Sequence, residues 1–198
     1  MKRKQLWLLV GGNGAGKSTF YEQRLKPLGL PFVNADIIAR ALYPDAPEVN
    51  SLKAARIAEE LRYKLVRDGE SFCFETVFSH SSKIDFVAHA KALGYEIVLV
   101  FIHLESVALN QARVYQRVRA GGHFVPDIKV ANRIPRTLRH VLAVLPLCDQ
   151  VRVLDNSSLD NPFAPVLTVD NRTAASNSSH ITRHRDPLPH WAATLISD

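Results

Sequence analysis

Short apolar runs alternate along the chain with longer segments in which apolar residues recur every three or four positions. The runs predict buried strands and the periodic segments predict helices. The predicted strands are Gln5–Val10, Pro31–Asn34, Ser71–Thr76, Glu96–His103, Gln150–Leu154 and Pro165–Val169. The predicted helices are Gly16–Leu25, Ala35–Leu42, Ser51–Arg67, Lys83–Leu93, Ser106–Ala120 and Pro126–Leu145, the last with a kink expected at Pro135.

This alternation of strands and helices is typical of α/β proteins, in which crossover units place the strands parallel and cover both faces of the sheet. The nearly continuous apolar run Glu96–His103 fits a strand buried on both sides. We therefore expect one three-layer α/β/α domain over residues 1–170, with a mainly parallel sheet of about five or six strands.

The character of the sequence changes after Asp170. Residues Asn171–His190 are mostly polar and lack a period, so we expect a loop or tail there. Trp191–Ile196 is apolar again and is expected to pack back on the core. Residues 171–198 are thus predicted to be a polar loop and C-terminal tail rather than a second domain.

The net charge of +6 comes from one segment of the 198-residue chain. Between residues 113 and 140, seven basic residues face a single acidic one, Asp127, so the rest of the sequence is neutral. A nucleic-acid binder usually spreads basic and aromatic residues over a surface, which makes a nucleic-acid partner unlikely by this criterion. A compact arginine cluster fits a polyphosphate ligand better, and a solvated helical face is the alternative.

The apolar runs are also too short for a membrane span of roughly 20 residues. The basic start of the chain is followed by a strand-like run without a cleavage site, so we expect a cytoplasmic protein with no membrane partner. Cys73 and Cys148 lack metal-ligand spacing and are expected to be buried thiols.

A phosphate-binding loop follows the first predicted strand. The segment satisfies the pattern G-x-x-x-x-G-K-[ST] between a strand and a helix, and it consists of Gly11, Gly12, Asn13, Gly14, Ala15, Gly16, Lys17, Ser18 and the following Thr19. Glycines let the backbone curl its N–H groups around phosphate, and the helix N-terminus adds positive potential. We expect Lys17 to reach the β- and γ-phosphates of ATP or GTP, and the Ser18 hydroxyl to bind Mg²⁺.

Phosphoryl transfer to an alcohol needs a carboxylate near the attacking hydroxyl. Asp36 follows the second strand and is either that base, or the holder of a metal-bound water, or only a helix N-cap. Glu75 ends the third strand and is expected to bind substrate hydroxyls or to support Mg²⁺, with a paired structural role as the alternative. Thr76 and Ser79 are weaker candidates for substrate contacts, and Asp155 for contact with a base or a turn cap.

The basic segment predicts a helical lid over the phosphates, which spans residues 113–140. Its pattern is helix, Gly-Gly-His turn, helix, and four arginines are candidates to close on the transferring phosphoryl group: Arg117, Arg119, Arg133 and Arg136. Gly121 and Gly122 would permit a tight turn or lid motion. His123 could contact phosphate or substrate, although a lone loop histidine is more often solvated or hydrogen-bonded without a functional role.

Together these motifs resemble the zeta-toxin-like P-loop kinases, in particular the bacterial branch often labelled predicted ABC-type ATPases. The resemblance rests on the phosphate loop, on Asn34-Ala35-Asp36, on Phe74-Glu75-Thr76, and on Gly121–Pro126 with Arg133 and Arg136. It extends to Asp155-Asn156-Ser157 and Pro189-His190-Trp191, and so covers most of the chain.

The resemblance implies a P-loop kinase fold that uses ATP or GTP with Mg²⁺. The best-known members phosphorylate a hydroxyl of UDP-N-acetylglucosamine and are held inactive by an antitoxin. On that pattern Asp36 corresponds to the catalytic base, Lys17 to the phosphate-binding lysine, and Glu75 to a substrate-contacting carboxylate. The chain is shorter than the founding toxins and differs from them in the lid, so the acceptor and an antitoxin partner stay open.

Two other functions remain compatible with the sequence. One is a metabolic small-molecule or nucleoside kinase, which would share the phosphate loop and differ in the acceptor pocket. The other is a nucleotide-hydrolysing ATPase or switch without an acceptor. An ABC-type motor would need a Leu-Ser-Gly-Gly-Gln-like signature and adjacent acidic residues at a strand end, and the sequence has neither.

Overall fold

The computed structural model describes residues 3–122, 124–172 and 180–196, and its centre is a seven-stranded sheet. The strand order is β2-β3-β1-β4-β5-β6-β7, in which β1 to β5 run parallel and the last two strands are antiparallel. The strands are β1 Gln5–Gly11, β2 Phe32–Val33, β3 Phe72–Thr76, β4 Glu96–His103, β5 Gln150–Asp155, β6 Ala164–Asp170 and β7 His180–Arg183.

Helices connect the parallel strands. They are α1 Lys17–Phe20, α2 Ala35–Leu42, α3 Ser51–Asp68, α4 Ser82–Ala92, α5 Val107–Arg119, α6 Asp127–Val144 and α7 His190–Ala193. A π-helical turn, Tyr21–Leu25, extends α1, so the predicted first helix has its expected length but a wider last part. Pro135 lies inside α6, which runs on through it.

The alternation along β1 explains how the sheet is covered on both faces. Leu6, Leu8 and Val10 pack into a core that includes side chains of α3, α4 and α6, and the intervening Trp7 and Leu9 pack against α1 and its extension. All five side chains are buried. The α/β prediction of three layers around a mainly parallel sheet is confirmed.

A seventh strand lies where the polar pattern predicts a loop. Strand β7 pairs antiparallel with β6, with Leu167 opposite Arg183 and Asp170 opposite His180. Every residue of β7 is exposed, so the strand has no hydrophobic signal and is held by its backbone hydrogen bonds to β6. Further on, Ala192 and Leu195 are buried in the larger core.

Helices α5 and α6 pack against each other through a small apolar cluster of their own. Val114 of α5 and Val130 of α6 are buried together with Val125 from the connection between the helices. The turn after α5 depends on Gly121, whose φ of 80° lies in the left-handed region. The turn closes where the N–H of Gly122 donates to the carbonyl of Arg117.

Among the described residues, no helix is both long and apolar enough to cross a membrane. Both cysteines, Cys73 and Cys148, are buried free thiols, and burial raises the pKa of each well above its ordinary value.

His103, the last residue of β4, is enclosed between the sheet and the C-terminal segment. Its ring lies 4.4 Å from that of Trp191, and the side chain is 8% exposed. Burial lowers the pKa of His103 to about 4, against a smaller opposing effect of the Asp155 carboxylate. The folded protein therefore holds this imidazole neutral at pH values where the unfolded chain would protonate it.

We predict that this histidine makes the protein less stable in mild acid. As the pH falls from 6.5 towards 4, this histidine binds a proton in the unfolded state but stays neutral in the folded state. The difference lowers the free energy of unfolding by up to about 3 kcal/mol. His103→Gln should flatten that part of the pH profile in urea titrations, whereas His89→Gln, at an exposed position of α4, should leave it unchanged. Equal pH profiles for both variants would contradict the assignment.

Candidate active site

The candidate site lies where the carboxyl ends of the parallel strands meet. Strand β1 is flanked by β3 and β4, so that Leu9 lies opposite Glu75 and Gly11 opposite Ile102. A Cβ atom on Gly11 would lie 2.4 Å from the carbonyl oxygen of Ile102, so only glycine fits at the position where the chain leaves the sheet. Ligands of open parallel sheets collect at this edge.

Two further glycines give the phosphate loop its curvature. Gly14 has φ 79° and Gly16 has φ 93°, which is the left-handed conformation that side chains disfavour. Added Cβ atoms would also lie 2.6 Å from the Asn110 carbonyl oxygen at Gly14 and 2.5 Å from Asn156 Nδ2 at Gly16. Both the backbone conformation and the neighbouring atoms therefore require glycine.

Side chains from three later elements hold the outer surface of the loop. The Asn110 amide of α5 donates to the Asn13 carbonyl at 2.6 Å, and the Asn156 amide after β5 donates to the Ala15 carbonyl at 2.9 Å. Arg133 of α6 donates to the Asn13 side-chain oxygen at 3.1 Å. With these oxygens bound from outside, the loop keeps the curl that a phosphate-binding nest needs.

Lys17 lies at the base of the loop. Its ammonium donates to the Gly12 carbonyl at 3.1 Å and lies 3.8 Å from the Glu75 carboxylate, with the residue only 8% exposed. Burial lowers the pKa of Lys17, and the carboxylates of Glu75 and Asp36 oppose that shift. A buried cation with one carbonyl and one distant carboxylate as partners is well placed to bind an incoming anion.

Glu75 joins three strand ends. Its carboxylate accepts a hydrogen bond from Asn34 at 2.8 Å and from the Ser18 hydroxyl at 3.1 Å, and it faces Lys17. The predicted approach of Glu75 to the phosphate loop is thus present. The same contacts serve a structural purpose as well, because they tie the ends of β1, β2 and β3 together.

Asp36 is not the N-cap of α2. Asn34 fills that role, since its side-chain oxygen accepts from the backbone N–H groups of Asp36 at 2.8 Å and Ile37 at 3.2 Å. The capping alternative for Asp36 is therefore wrong. Its exposed carboxylate lies in the first turn of the helix and borders a cavity beside the loop.

A first cavity of about 580 Å³ lies along one side of the phosphate loop. Its lining combines the loop and α1 with α5 and the segment after β5: Gly14, Gly16, Lys17, Ser18, Thr19, Gln23, Glu75, Arg113, Gln116, Arg117, Asn156, Ser158, Leu159, Pro162 and Phe163. We call it the loop cavity. Its size lies within the usual range for small-molecule sites.

A second cavity of about 280 Å³ is also lined by Lys17, and we call it the Asp36 cavity. Its lining includes Asp36, the β3 end with Thr76 and Ser79, and the α3 residue Arg62. Lys17, Ser18, Glu75 and Arg117 line both cavities. The two spaces therefore meet at the charged wall that these four residues form.

The four candidate arginines occupy two different environments. Arg117 lines both cavities and Arg133 lines the Asp36 cavity. Arg119 is exposed, because residues two positions apart face different sides of a helix. Arg136 is also exposed, and its guanidinium donates to the Asn132 carbonyl of its own helix.

The remaining candidates have more modest positions. Thr19 lines the loop cavity, and the Thr76 hydroxyl accepts from the N–H of Phe78 at 3.0 Å at the edge of the Asp36 cavity. Asp155 accepts hydrogen bonds from the backbone N–H and the hydroxyl of Ser157, as the turn-capping alternative requires, and lies 3.2 Å from Arg185. His123 lies outside the described residues.

Sequence reasoning missed the two asparagines that hold the loop. Asn110 lies inside a helix and Asn156 in a loop, and each gives an ordinary polar signal in the sequence. Only the second had a hint, since it belongs to the Asp155-Asn156-Ser157 segment quoted for the resemblance. Arg62 was missed because its position in α3 is indistinguishable from that of a solvated helix residue.

A model of the AAA domain family matches residues 6–138, which is more than half of the chain. The chain belongs to the AAA domain family. The match runs from β1 into α6 and so includes the phosphate loop, Glu75, the whole of α5 and most of α6. A protein of Haemophilus influenzae, named only as uncharacterized, is 31% identical over 140 residues, which are 67% of this chain and 99% of the relative.

Solved structures share the fold of this AAA domain at low identity. The native AvrRxo1-ORF1:ORF2 complex matches with a TM-score of 0.68 and 16% identity over 92% of this chain, and the same pair with ATP matches with 0.64 and 18% over 85%. The chain spans about three fifths of those AvrRxo1 chains, 61% and 59%. A PezAT toxin-antitoxin structure of Streptococcus pneumoniae matches with 0.62 and 17% over 85% of this chain and 72% of its own. The fold is that of the P-loop NTPases and kinases.

We predict that Gly14→Ala damages the loop while Gly94→Ala does not. Both glycines have φ near 80°, so the left-handed backbone conformation by itself should cost each alanine variant about 1 kcal/mol of unfolding free energy. Only at Gly14 does the new Cβ meet backbone, whereas nothing lies within 4 Å at Gly94. Calorimetric titration with an ATP analogue should show affinity reduced roughly tenfold or more for Gly14→Ala alone. Equal affinities in the two variants would contradict this reading of the loop.

Proposed function

We propose that this protein is a P-loop kinase that transfers the γ-phosphate of ATP or GTP to a hydroxyl group of a small molecule. The observation that carries the proposal is the shared wall between the two cavities. The loop cavity has the usual size of a small-molecule site, and the smaller Asp36 cavity offers a separate space for the part of an acceptor that carries the hydroxyl group. A hydrolase without an acceptor has no need of a second cavity at the lysine.

The residues at the wall match the charges of phosphoryl transfer. Lys17, Arg117 and Arg133 are cations around the point where the γ-phosphoryl group would move, and they offset the negative charge on its oxygens. In the transfer step the acceptor oxygen forms a bond to phosphorus as the bond to the β-phosphate oxygen breaks and the nucleoside diphosphate leaves. The hydroxyl proton passes to the carboxylate of Asp36.

Magnesium would be held by Ser18 and supported by Glu75. The Ser18 hydroxyl and the Glu75 carboxylate lie 3.1 Å apart at the mouth of the loop, and they offer the hard oxygen ligands that Mg²⁺ prefers. The described residues contain no group of three or more carboxylate, histidine or cysteine ligands, in keeping with an ion that takes most of its ligands from phosphates and water. Such an ion would neutralise the triphosphate.

The acceptor in our proposal includes UDP-N-acetylglucosamine, as the resemblance to zeta-toxin-like kinases implies. Two observations on other proteins support the rest of the proposal: AvrRxo1-ORF1:ORF2 was crystallised with ATP, the cosubstrate proposed here, and PezAT is a toxin-antitoxin system. An antitoxin partner for this chain belongs to the same proposal. A metabolic acceptor such as a nucleoside is the alternative, and labelled ATP offered with UDP-sugars, nucleosides and small alcohols separates the two.

We predict that Lys17→Ala abolishes nucleotide binding and transfer. The variant removes the one buried ammonium at the base of the loop, and the expected loss is on the order of a hundredfold or more in affinity. Lys26→Ala is the matched control, because this exposed lysine pairs only with Glu22 among the contacts described. Unchanged ATP consumption by the Lys17 variant would refute the role of the loop.

We predict that Asp36→Asn separates binding from transfer. The amide keeps the shape of the side chain but accepts no proton, so nucleotide affinity should persist while transfer falls by roughly 10²-fold or more. Asp85→Asn, at an exposed position of α4, is the control and should retain full activity. Normal transfer by the Asp36 variant would mean that another group takes the proton.

A further inference from the structure

The Asp36 cavity contains a buried arginine that the transfer step does not use. Arg62 of α3 lines this cavity and is 2% exposed. Its guanidinium carbon lies 4.1 Å from the ring centroid of Phe74 and 5.1 Å from that of Phe86. The rings pack against the face of the guanidinium and leave its N–H donors to be satisfied at the edges.

Those donors are poorly satisfied. An arginine has five N–H donors, and among the described residues Arg62 has one long hydrogen bond, from Nη2 to the Glu59 carboxylate at 3.5 Å. Its Nε atom is buried without a hydrogen-bond partner in the described part of the chain. Buried charges are normally paired, so an orphaned donor beside a cavity indicates that a ligand supplies the acceptor.

A second cation lines the same cavity. Lys83 of α4 is 22% exposed, and its ammonium lies 3.8 Å from the same Glu59 oxygen that Arg62 contacts. Burial lowers the pKa of Lys83, and the charge of Arg62 lowers it further, with Glu59 in opposition. Two cations thus share one half-exposed carboxylate, and one positive charge remains unbalanced at this point.

Resting on the proposed kinase function, we propose that the acceptor is a small hydroxyl compound with a phosphate or carboxylate group that binds Arg62 and Lys83. An oxyanion there would accept from the guanidinium and the ammonium together. Its hydroxyl group would lie towards Asp36, which lines the same cavity. The proposal admits a UDP-sugar, whose diphosphate is such a group, and excludes neutral sugars and nucleosides.

The test measures anion binding with the phosphate loop already filled. The protein is saturated with Mg²⁺ and a non-hydrolysable ATP analogue, then titrated with inorganic phosphate and separately with acetate, at constant ionic strength kept with chloride. The readout is the NMR signal of the Arg62 Nε–H group. We expect a saturable shift with at least one of the two anions, and the tighter one identifies the group on the acceptor.

Lys83→Gln is the main variant, because a substitution at fully buried Arg62 risks the fold itself. It should weaken the anion roughly tenfold or more and leave the affinity for the ATP analogue unchanged. Lys64→Gln, at an exposed position of α3 that pairs with Asp68, should change neither affinity. The Arg62 Nε–H signal is assigned in the wild-type protein by through-bond correlation with the backbone resonances of the same residue.

The outcomes separate this inference from the proposed function. If the ATP analogue binds and neither anion shifts the Arg62 signal, or if Lys83→Gln binds the anion as tightly as wild-type protein, the inference is overturned and the kinase proposal stands. If the analogue does not bind, the kinase proposal fails. The anion titration is then repeated on Lys17→Ala, whose loop lacks its lysine, and the Arg62 signal decides the anion site by itself.

Discussion

Two backbone carbonyls of the phosphate loop, those of Asn13 and Ala15, are held by side-chain amides that come from far along the chain. Asn110 and Asn156 supply these hydrogen bonds. The same two residues also lie so close to the loop that a Cβ atom on Gly14 would collide with Asn110 and one on Gly16 with Asn156. A buried carbonyl without a donor costs free energy, so these contacts stabilise one curl of the loop over the alternatives. The loop conformation in turn fixes where Lys17 and Ser18 lie relative to the neighbouring strand ends.

The charged wall between the cavities follows from this arrangement. Because β3 lies next to β1, Glu75 at the end of β3 lies beside the loop. On the other side of β3 lies β2, and Asn34, the residue after β2, donates a hydrogen bond to the Glu75 carboxylate. Lys17 then has its carboxylate partner on one side and the Gly12 carbonyl on the other.

Positive charge serves two separate purposes in this structure. Arg117 of α5 belongs to the charged wall and Arg133 of α6 lines the Asp36 cavity, and in the proposed transfer both would offset charge on the phosphoryl group. Arg62 of α3 and Lys83 of α4 also line the Asp36 cavity, where we propose that they bind an acidic group of the acceptor. The first pair belongs to the segment that carries the whole net charge of the protein, whereas the second pair lies in a part of the sequence that is neutral overall.

The sequence by itself determined the layered parallel sheet, the phosphate loop and the position of Lys17, because hydrophobic period and glycine spacing are local properties. Only the tertiary structure decided that Asn34 rather than Asp36 caps α2, that Arg117 rather than Arg119 faces the site, and that β7 exists. Each of these features depends on atoms from other parts of the chain. The cap depends on which side chain accepts from the first N–H groups of the helix, and the inward face of α5 depends on how its neighbours pack. The exposed edge strand β7 depends on the backbone of the strand beside it. Arg62 shows the same limit, since a buried orphan and a solvated helix arginine are identical in sequence and differ only in what the fold places around them.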